Sequence, residues 1–384
     1  MAGRGQNIDD LERSPRMTAI RHIAALLAVA ALAGPVDAAD RTMSFVIYDW
    51  SNAIYQTRYA DECPDGLAIG NDEYWWRSLS KQDRAKHTNN GLLESGNRYN
   101  VALKRGPNQE NACLDPTILK DPPHRIVEGA YAFGENIDGN EDGSATPKTC
   151  AHPNFTTPDG MPGIDNQMYR LIGCTYGWRD SGLVDIAANE LRLASGLAMV
   201  LVEIDGVTDP RNSPDVTVTF YRSIDQFILD GASKPLPFAT YRIDKSDGKP
   251  RYADRVKGRI VNGVLTTDRG DVRLPYYGNY SFISPVIRDF KITLAIDDDG
   301  VTAKGMVTGY YDVDQFVHYV GGLGGIIPIS YYSCPAVHVA ARQLADGYPD
   351  PETGACTALS SAFNVAAKRA FILHDPQQNA EAGR

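Results

Sequence analysis

The clearest signal in the chain is a two-residue alternation of apolar and polar side chains. Val216, Val218 and Phe220 alternate with Thr217, Thr219 and Tyr221, and Phe290, Ile292, Leu294 and Ile296 alternate with Lys291, Thr293 and Ala295. Successive strand residues point to opposite faces, so this period marks strands with one buried face. Asp297-Asp298-Asp299-Gly300 follows, and alternation resumes at Val301, Ala303, Gly305 and Val307. An Asp-Gly step between two alternating runs predicts a tight hairpin, and Val261-Asn262-Gly263-Val264 predicts a second. Residues 183–330 therefore read as strands joined by turns.

The flanking regions have a different texture. Phe45 to Tyr48 is a short apolar strand, and Tyr74, Trp75 and Trp76 form an aromatic knot after it. Stretches 104–124 and 134–165 are rich in Gly, Pro, Asn and Asp, so ladder pairing cannot satisfy all of their backbone groups. Toward the C-terminus, Ala336 to Ala345 predicts a short helix, Tyr348-Pro349-Asp350-Pro351 a loop, and Leu359 to Arg369 a second short helix. The expected fold is mainly β: an antiparallel sandwich or jelly-roll-like body, a loop-rich N-terminal region and a C-terminal helical hairpin. The expected divisions are 1–38, 39–180, 181–330, 331–374 and a disordered tail over 375–384.

Residues 1–38 read as a secretory signal peptide. Ile23 to Ala33 is an apolar run preceded by Arg21, and Val36-Asp37-Ala38 gives a small-residue cleavage pattern. Met17 is an alternative start. The run spans about 16 Å as a helix, too short for a bilayer core of roughly 30 Å, and no later segment supplies a membrane span. The six cysteines, at 63, 113, 150, 174, 334 and 356, all follow the cleavage point. An even count after an export signal implies three disulfides. Of the fifteen pairings open to them, the neighbour set Cys63–Cys113, Cys150–Cys174 and Cys334–Cys356 is preferred. No CxxC or CxxCH occurs, which leaves zinc-ribbon and c-type haem readings without support. The expected location is the periplasm or the medium.

Charge narrows the partners. With Lys+Arg 38 against Asp+Glu 48, the formal net charge is −10, the wrong sign for nucleic acid or anionic lipid. Cations are favoured instead. Asp138-Gly139-Asn140-Glu141-Asp142-Gly143 matches the first half of a calcium loop, in which alternate oxygens converge and glycine turns the chain. Thr149 stands where such a loop needs its bidentate Glu, so other residues must complete the shell. Asp159 and Asp165-Asn166 lie just downstream. The expectation is one structural Ca²⁺ held by Asp138, Asn140, Asp142, Asp159, Asp165 and Asn166. His152, beside this cluster, reads as a loop hydrogen-bonder, with ligation or base chemistry as the alternative. Asp346, Asp350 and Glu352 read as turn and capping residues, and Asp297-Asp298-Asp299-Gly300 as a turn.

The block Gly134-Glu135-Asn136-Ile137-Asp138-Gly139, Cys150-Ala151-His152, Asp159-Gly160, Gly163-Ile164-Asp165-Asn166-Gln167 and Cys174 resembles exported bacterial proteins of uncharacterised function. The ending Ala345-Asp346-Gly347, Asp350, Gly354, Cys356 and Leu359-Ser360 shares the resemblance. It implies a secreted or envelope protein with an acidic Asp/Asn block, and no activity.

Catalytic signatures are scarce. The sequence has no HExxH, no GxSxG and no phosphate-binding loop; Gly321-Gly322-Leu323-Gly324-Gly325 lacks the Lys and the flanking pattern, and reads as a flexible turn. No nucleotide cofactor is expected. Trp50, Trp75, Trp76 and Trp178 are candidates for a sugar-stacking platform, with burial in the core as the ordinary alternative. The sequence thus points to a non-enzymatic, calcium-stabilised binding or structural module with a glycan or envelope partner. The alternative is a secreted carbohydrate-active hydrolase using an Asp/Glu pair and tryptophan subsites.

Overall fold

The computed structural model describes residues 41–69, 76–77, 79–86, 114–118, 121–179, 182–278, 281–323 and 332–374. The segment expected as a signal peptide, Trp75, Cys113 and residues 375–384 fall outside these ranges.

Eight strands, numbered here in chain order, form the wall of the molecule: β1 Arg41–Asn52, β2 Val200–Val207, β3 Ser213–Arg222, β4 Asp254–Val261, β5 Val264–Thr267, β6 Val286–Ile296, β7 Thr302–Asp312 and β8 Cys356–Leu373. Each pairs antiparallel with the next, and β8 pairs with β1 as well as with β7. That last pairing closes the sheet. The fold is an eight-stranded antiparallel barrel rather than the expected sandwich or jelly roll. Three short strands, Ala239–Arg242, Gly270–Arg273 and Gly347–Pro349, add to the wall from β8, β6 and β8 respectively.

The correction turns on β8. Leu359 to Arg369 was expected as a helix, because Ala and Ser dominate it and Ala favours helix. In the barrel it is the middle of an 18-residue strand. The register pairs Phe45 with Arg369 on one side and Val307 with Phe363 on the other. Leu359, Ser361, Phe363, Val365 and Ala367 are buried on one face. The second helix of the expected hairpin is therefore absent, while the first is present as Cys334–Leu344. Two further helices interrupt the region expected as strands: Leu183–Ser195 and Val313–Leu323, the latter taking in Gly321 and Gly322. With Gln167–Ile172, the four helices relevant to the sites are α1 Gln167–Ile172, α2 Leu183–Ser195, α3 Val313–Leu323 and α4 Cys334–Leu344.

The alternating runs behave as the sequence implies. Val216, Val218, Phe220, Phe290, Ile292, Leu294, Ala303 and Val307 are buried in the main core. Both hairpins form. Asn262 and Gly263 take positive φ between β4 and β5, and Asp297 closes the β6–β7 turn by bonds to Gly300 and Thr302. A register shift in β1 between Ile47 and Asp49 changes which parity faces inward. Phe45 and Ile47 point to the core before it and Trp50 after it. Such a bulge is the usual means of re-aiming a side chain at the end of a strand.

A loop-rich layer built from residues 121–179 packs against the wall, and its Met168 and Trp178 join the main core. It has few ladders, as expected, and is held by isolated bridges, side-chain bonds and disulfides. The Glu135 carboxylate accepts bonds from Lys291, Arg269 and Thr308 on the barrel. Arg170 lies 3.9 Å from the Phe155 ring centre and donates to the carbonyls of Val127 and Pro153. The disulfides are Cys63–Cys174 and Cys150–Cys356, and Cys334 is also disulfide-bonded. None of the neighbour pairings survives, because Cys174 and Cys356 each join a residue distant in the chain. Cys150–Cys356 spans 206 residues and ties the loop layer to the start of β8. No described helix is long and apolar enough to cross a membrane.

Candidate functional site

Buried charge occurs at several points among the described residues, the Arg179–Glu62 ion pair included; two such places, one on each side of the barrel wall, are candidate sites. The first is inside. A cavity of about 50 Å³ is lined by Trp50, Trp178, Tyr276, Tyr311, Phe316, Tyr319 and Phe363, with Asp185 and Arg192 among them. Helix α2 supplies the polar pair. Asp185, Asn189 and Arg192 stand at i, i+4 and i+7, so they share one helix face. Asn189 Oδ1 accepts from the Trp50 backbone N–H, 3.0 Å away, and from the Arg192 guanidinium. Asp185 accepts from the Asn52 backbone and side chain at 3.0 and 3.1 Å. These bonds fasten α2 to the inner end of β1.

Arg192 is 3% exposed, yet no carboxylate among the described residues lies within ion-pair distance of it. Burial lowers its pKa, and the negative charges of nearby groups only partly offset this. Asp185 is pushed up to about 7 by burial, against the lowering effect of the Asn52 bonds and of Arg192. The hydroxyls of Tyr276 and Tyr319 stand 3.3 Å apart at the same cavity. One guanidinium and two phenols therefore face a space with aromatic walls. A groove of about 500 Å³ shares Asn52, Trp178 and Asp185 with the cavity.

The sequence-based candidates divide. Trp50 and Trp178 are buried cavity walls, not an exposed platform, and Trp178 stacks on Tyr332 at 5.2 Å. Trp76 is half-buried, with Arg84 6.0 Å from its ring centre. Arg192 and Asp185 were missed altogether. The signal available for them was the spacing 185, 189, 192 on one face of an amphipathic helix.

The second place lies outside the wall, between β7–β8 and the loop layer. His152 Nε2 is 2.9 Å from Asp165 Oδ1 and 3.7 Å from Asp346 Oδ2, and its Nδ1 faces the Cys150 carbonyl at 2.8 Å. Ligand-type atoms of Asp138, His152 and Asp165 all lie within 4.8 Å of one another. The other oxygens of the carboxylates are fixed by the fold. Asp165 Oδ2 accepts from the Ile137 and Asp138 N–H groups, Asp138 Oδ2 from Thr149 Oγ1, and Asp346 Oδ1 from the Ser360 N–H. Gly143 accepts from the His152 backbone N–H. Its φ is +69°, and a Cβ there would sit 2.0 Å from the His152 carbonyl oxygen, so only glycine fits.

The environment is dry: the His152 side chain is 5% exposed, and those of Asp165 and Asp346 are 0%. Burial pushes the imidazole pKa down, but the bond to Asp165 and the charge of Asp346 outweigh it and hold it at about 9. Burial pushes Asp346 up to about 7, although His152 and Ser360 act against it. Asp346 Oδ2 and the Tyr310 hydroxyl are among the six buried side-chain atoms of the described residues that lack a hydrogen-bond partner. The phenol pKa is raised, first by burial and then by Asp346, Asp165 and Asp138.

Of the six residues expected around calcium, Asp138 and Asp165 come together here. The Asn140 amide bonds Ser144, Asp142 and Asp159 lie exposed on turns, and Asn166 caps α1 through Tyr169 N–H. Asp346, read from sequence as a turn residue, lies beside the cluster, 3.7 Å from His152. Compared with protein-family models, characterised proteins and solved structures, the chain matches none.

Proposed function

We propose that the protein is an exported binding protein whose barrel interior takes a small organic anion, a carboxylate with a short apolar body. The observation that supports this is the Arg192 guanidinium, buried at the cavity without a carboxylate partner. An uncompensated buried cation is costly, by several kcal/mol, and a ligand carboxylate would supply the missing charge through two parallel N–H bonds. The Tyr276 and Tyr319 hydroxyls are further donors beside it. An eight-stranded barrel has an interior wide enough for side chains or one small ligand. A cavity of about 50 Å³ has room for a few waters, each needing roughly 10–15 Å³ on this measure, so long acyl chains are excluded. The disulfides favour an oxidising compartment, in keeping with export.

The test is calorimetry with a graded series of carboxylates from acetate to benzoate, alongside the quenching of Trp50 and Trp178 fluorescence. Saturable binding of one ligand per chain, lost in Arg192→Met, is the expected result. A series in which no carboxylate binds would sink the proposal. The hydrolase alternative gains no observation here: Trp50 and Trp178 are cavity walls, and the one acid lining that cavity among the described residues, Asp185, is bonded to Asn52.

A further inference from the structure

We propose that His152, Asp165, Asp346 and Asp138 form a buried structural site for a divalent transition ion of the zinc class. The site is independent of the barrel cavity and lies on the opposite side of the wall. Its donor set is one imidazole nitrogen and three carboxylate oxygens. Calcium takes six to eight oxygens and no nitrogen, whereas imidazole with carboxylates is a zinc set, normally four-coordinate.

The spacing fits. Donors about 2.0–2.1 Å from a tetrahedral ion are about 3.3–3.4 Å apart. The distances from His152 Nε2 to Asp165 Oδ1 and Asp346 Oδ2 are 2.9 and 3.7 Å, close to this separation; the donor atoms of Asp138, His152 and Asp165 lie within 4.8 Å of one another, and bringing all four donors onto one ion requires a larger movement of Asp138 and Asp346. The supporting bonds also fit. A ligating histidine nearly always donates its other ring N–H to a carbonyl or carboxylate, and Nδ1 of His152 does so to Cys150. Each carboxylate has a second anchor: Ile137 N–H for Asp165, Thr149 for Asp138, Ser360 N–H for Asp346.

The independent sign of a ligand is Asp346 Oδ2. It is fully buried, has no hydrogen-bond partner and faces His152. Its 3.7 Å separation is too long for a hydrogen bond. A native fold rarely leaves such an oxygen without a partner, and an ion between it and Nε2 removes the anomaly. The Tyr310 hydroxyl, also buried and unpartnered, is a donor available to a ligand oxygen. Because neither the cluster nor its surroundings open to a described pocket, the ion's role is to pin the loop layer to β8. Binding displaces the proton from Nε2, so zinc uptake releases protons.

The experiment uses the untagged full exported chain, stripped with chelator and titrated with ZnCl₂ by calorimetry. Among the described residues there is no free thiol to compete. One equivalent is expected to bind, and saturation at 100 times Kd should raise Tm by roughly 5 °C. Co²⁺ in place of Zn²⁺ should give the strong visible absorption of a tetrahedral centre. Affinity should fall at least 10-fold in Asp346→Asn, a change that removes a buried charge and is expected to fold, and it should vanish in His152→Gln. Absence of saturable Zn²⁺ binding would overturn the proposal. So would Zn²⁺ binding unchanged in Asp346→Asn, or a larger Tm shift from CaCl₂ than from ZnCl₂. Failure here leaves the Arg192 site untouched, because that site is read out by carboxylate binding in the presence of chelator.

Discussion

Replacing Arg192 with methionine separates the cost of a buried cation from its use. In the ligand-free protein the guanidinium sits at the cavity with Asn189 of its own helix as hydrogen-bond partner and no ion pair among the described residues. Methionine keeps most of the aliphatic volume and removes the charge. Exchange of buried charged groups for apolar residues of similar volume is often neutral or stabilising by about 1–4 kcal/mol. For a chain of this length, that corresponds to a rise in Tm of roughly 1–5 °C. Asn189 remains bonded to the Trp50 N–H, so α2 keeps its attachment. The same change should abolish carboxylate binding, since charge-assisted bonds carry the recognition. The assay pairs thermal unfolding of the free protein with calorimetry of the best-binding carboxylate. A variant that is more stable and does not bind is the expected outcome. A drop in Tm of several degrees would show that Arg192 is a satisfied structural residue, and the anion-site reasoning would then fail.

Three other outcomes follow from the geometry. Asp185 has a folded-state pKa of about 7, above its unfolded value near 3.9. The folded state thus holds the proton more tightly, and this group's contribution to stability falls as pH rises from about 4 to about 7, by at most about 4 kcal/mol. Asp185→Asn should flatten that part of the stability–pH curve measured by urea unfolding; an unchanged slope would contradict the burial argument. Gly143→Ala places a Cβ against the His152 carbonyl at positive φ and should cost about 1–3 kcal/mol, seen as a lower urea midpoint. Removing Cys150–Cys356 by a paired change to serine should cost about 2–5 kcal/mol. Limited proteolysis should then cut the loop layer before the barrel, whereas simultaneous cutting of both would show that the bridge does not anchor that layer.

How far the sequence shows these features depends on how locally each is encoded. β3, β6 and β7 are legible because every second side chain meets the core and the alternate ones are polar. β8 is not. Its inward face includes Ser361 and Ala367, and its outward face includes Ala358, Ser360 and Ala362, all small, so the period-two contrast disappears and the helix propensity of alanine misleads. Losing that strand loses barrel closure, and an open sheet then reads as a sandwich. The acidic block behaves in the same way. Asp138, Asp165 and His152 fall within a short stretch of chain and were visible as a group. Asp346 arrives from far along the chain, delivered by the bond from Cys150 N–H to its carbonyl and by the Cys150–Cys356 bridge. No local pattern announces a partner of that kind.

The closing strand connects the two sites. Along β8, Phe363 faces inward and lines the cavity, while the backbone N–H of Ser360 holds Asp346 Oδ1 and the Ser360 hydroxyl accepts from Gln167 N–H, at the start of α1. One strand thus forms part of the cavity wall and is also the anchor for the outer cluster. A barrel seam has little to fix it when its side chains are as small as alanine and serine, because such residues bury little apolar area. In this molecule the outer layer supplies what the seam lacks: the disulfide at Cys356, Asp346 against Ser360, and Gln167 against the Ser360 hydroxyl. The acidic block is best understood as a clamp on the strand that closes the barrel, and the aromatic cavity with its buried arginine as the part that the clamp keeps in shape.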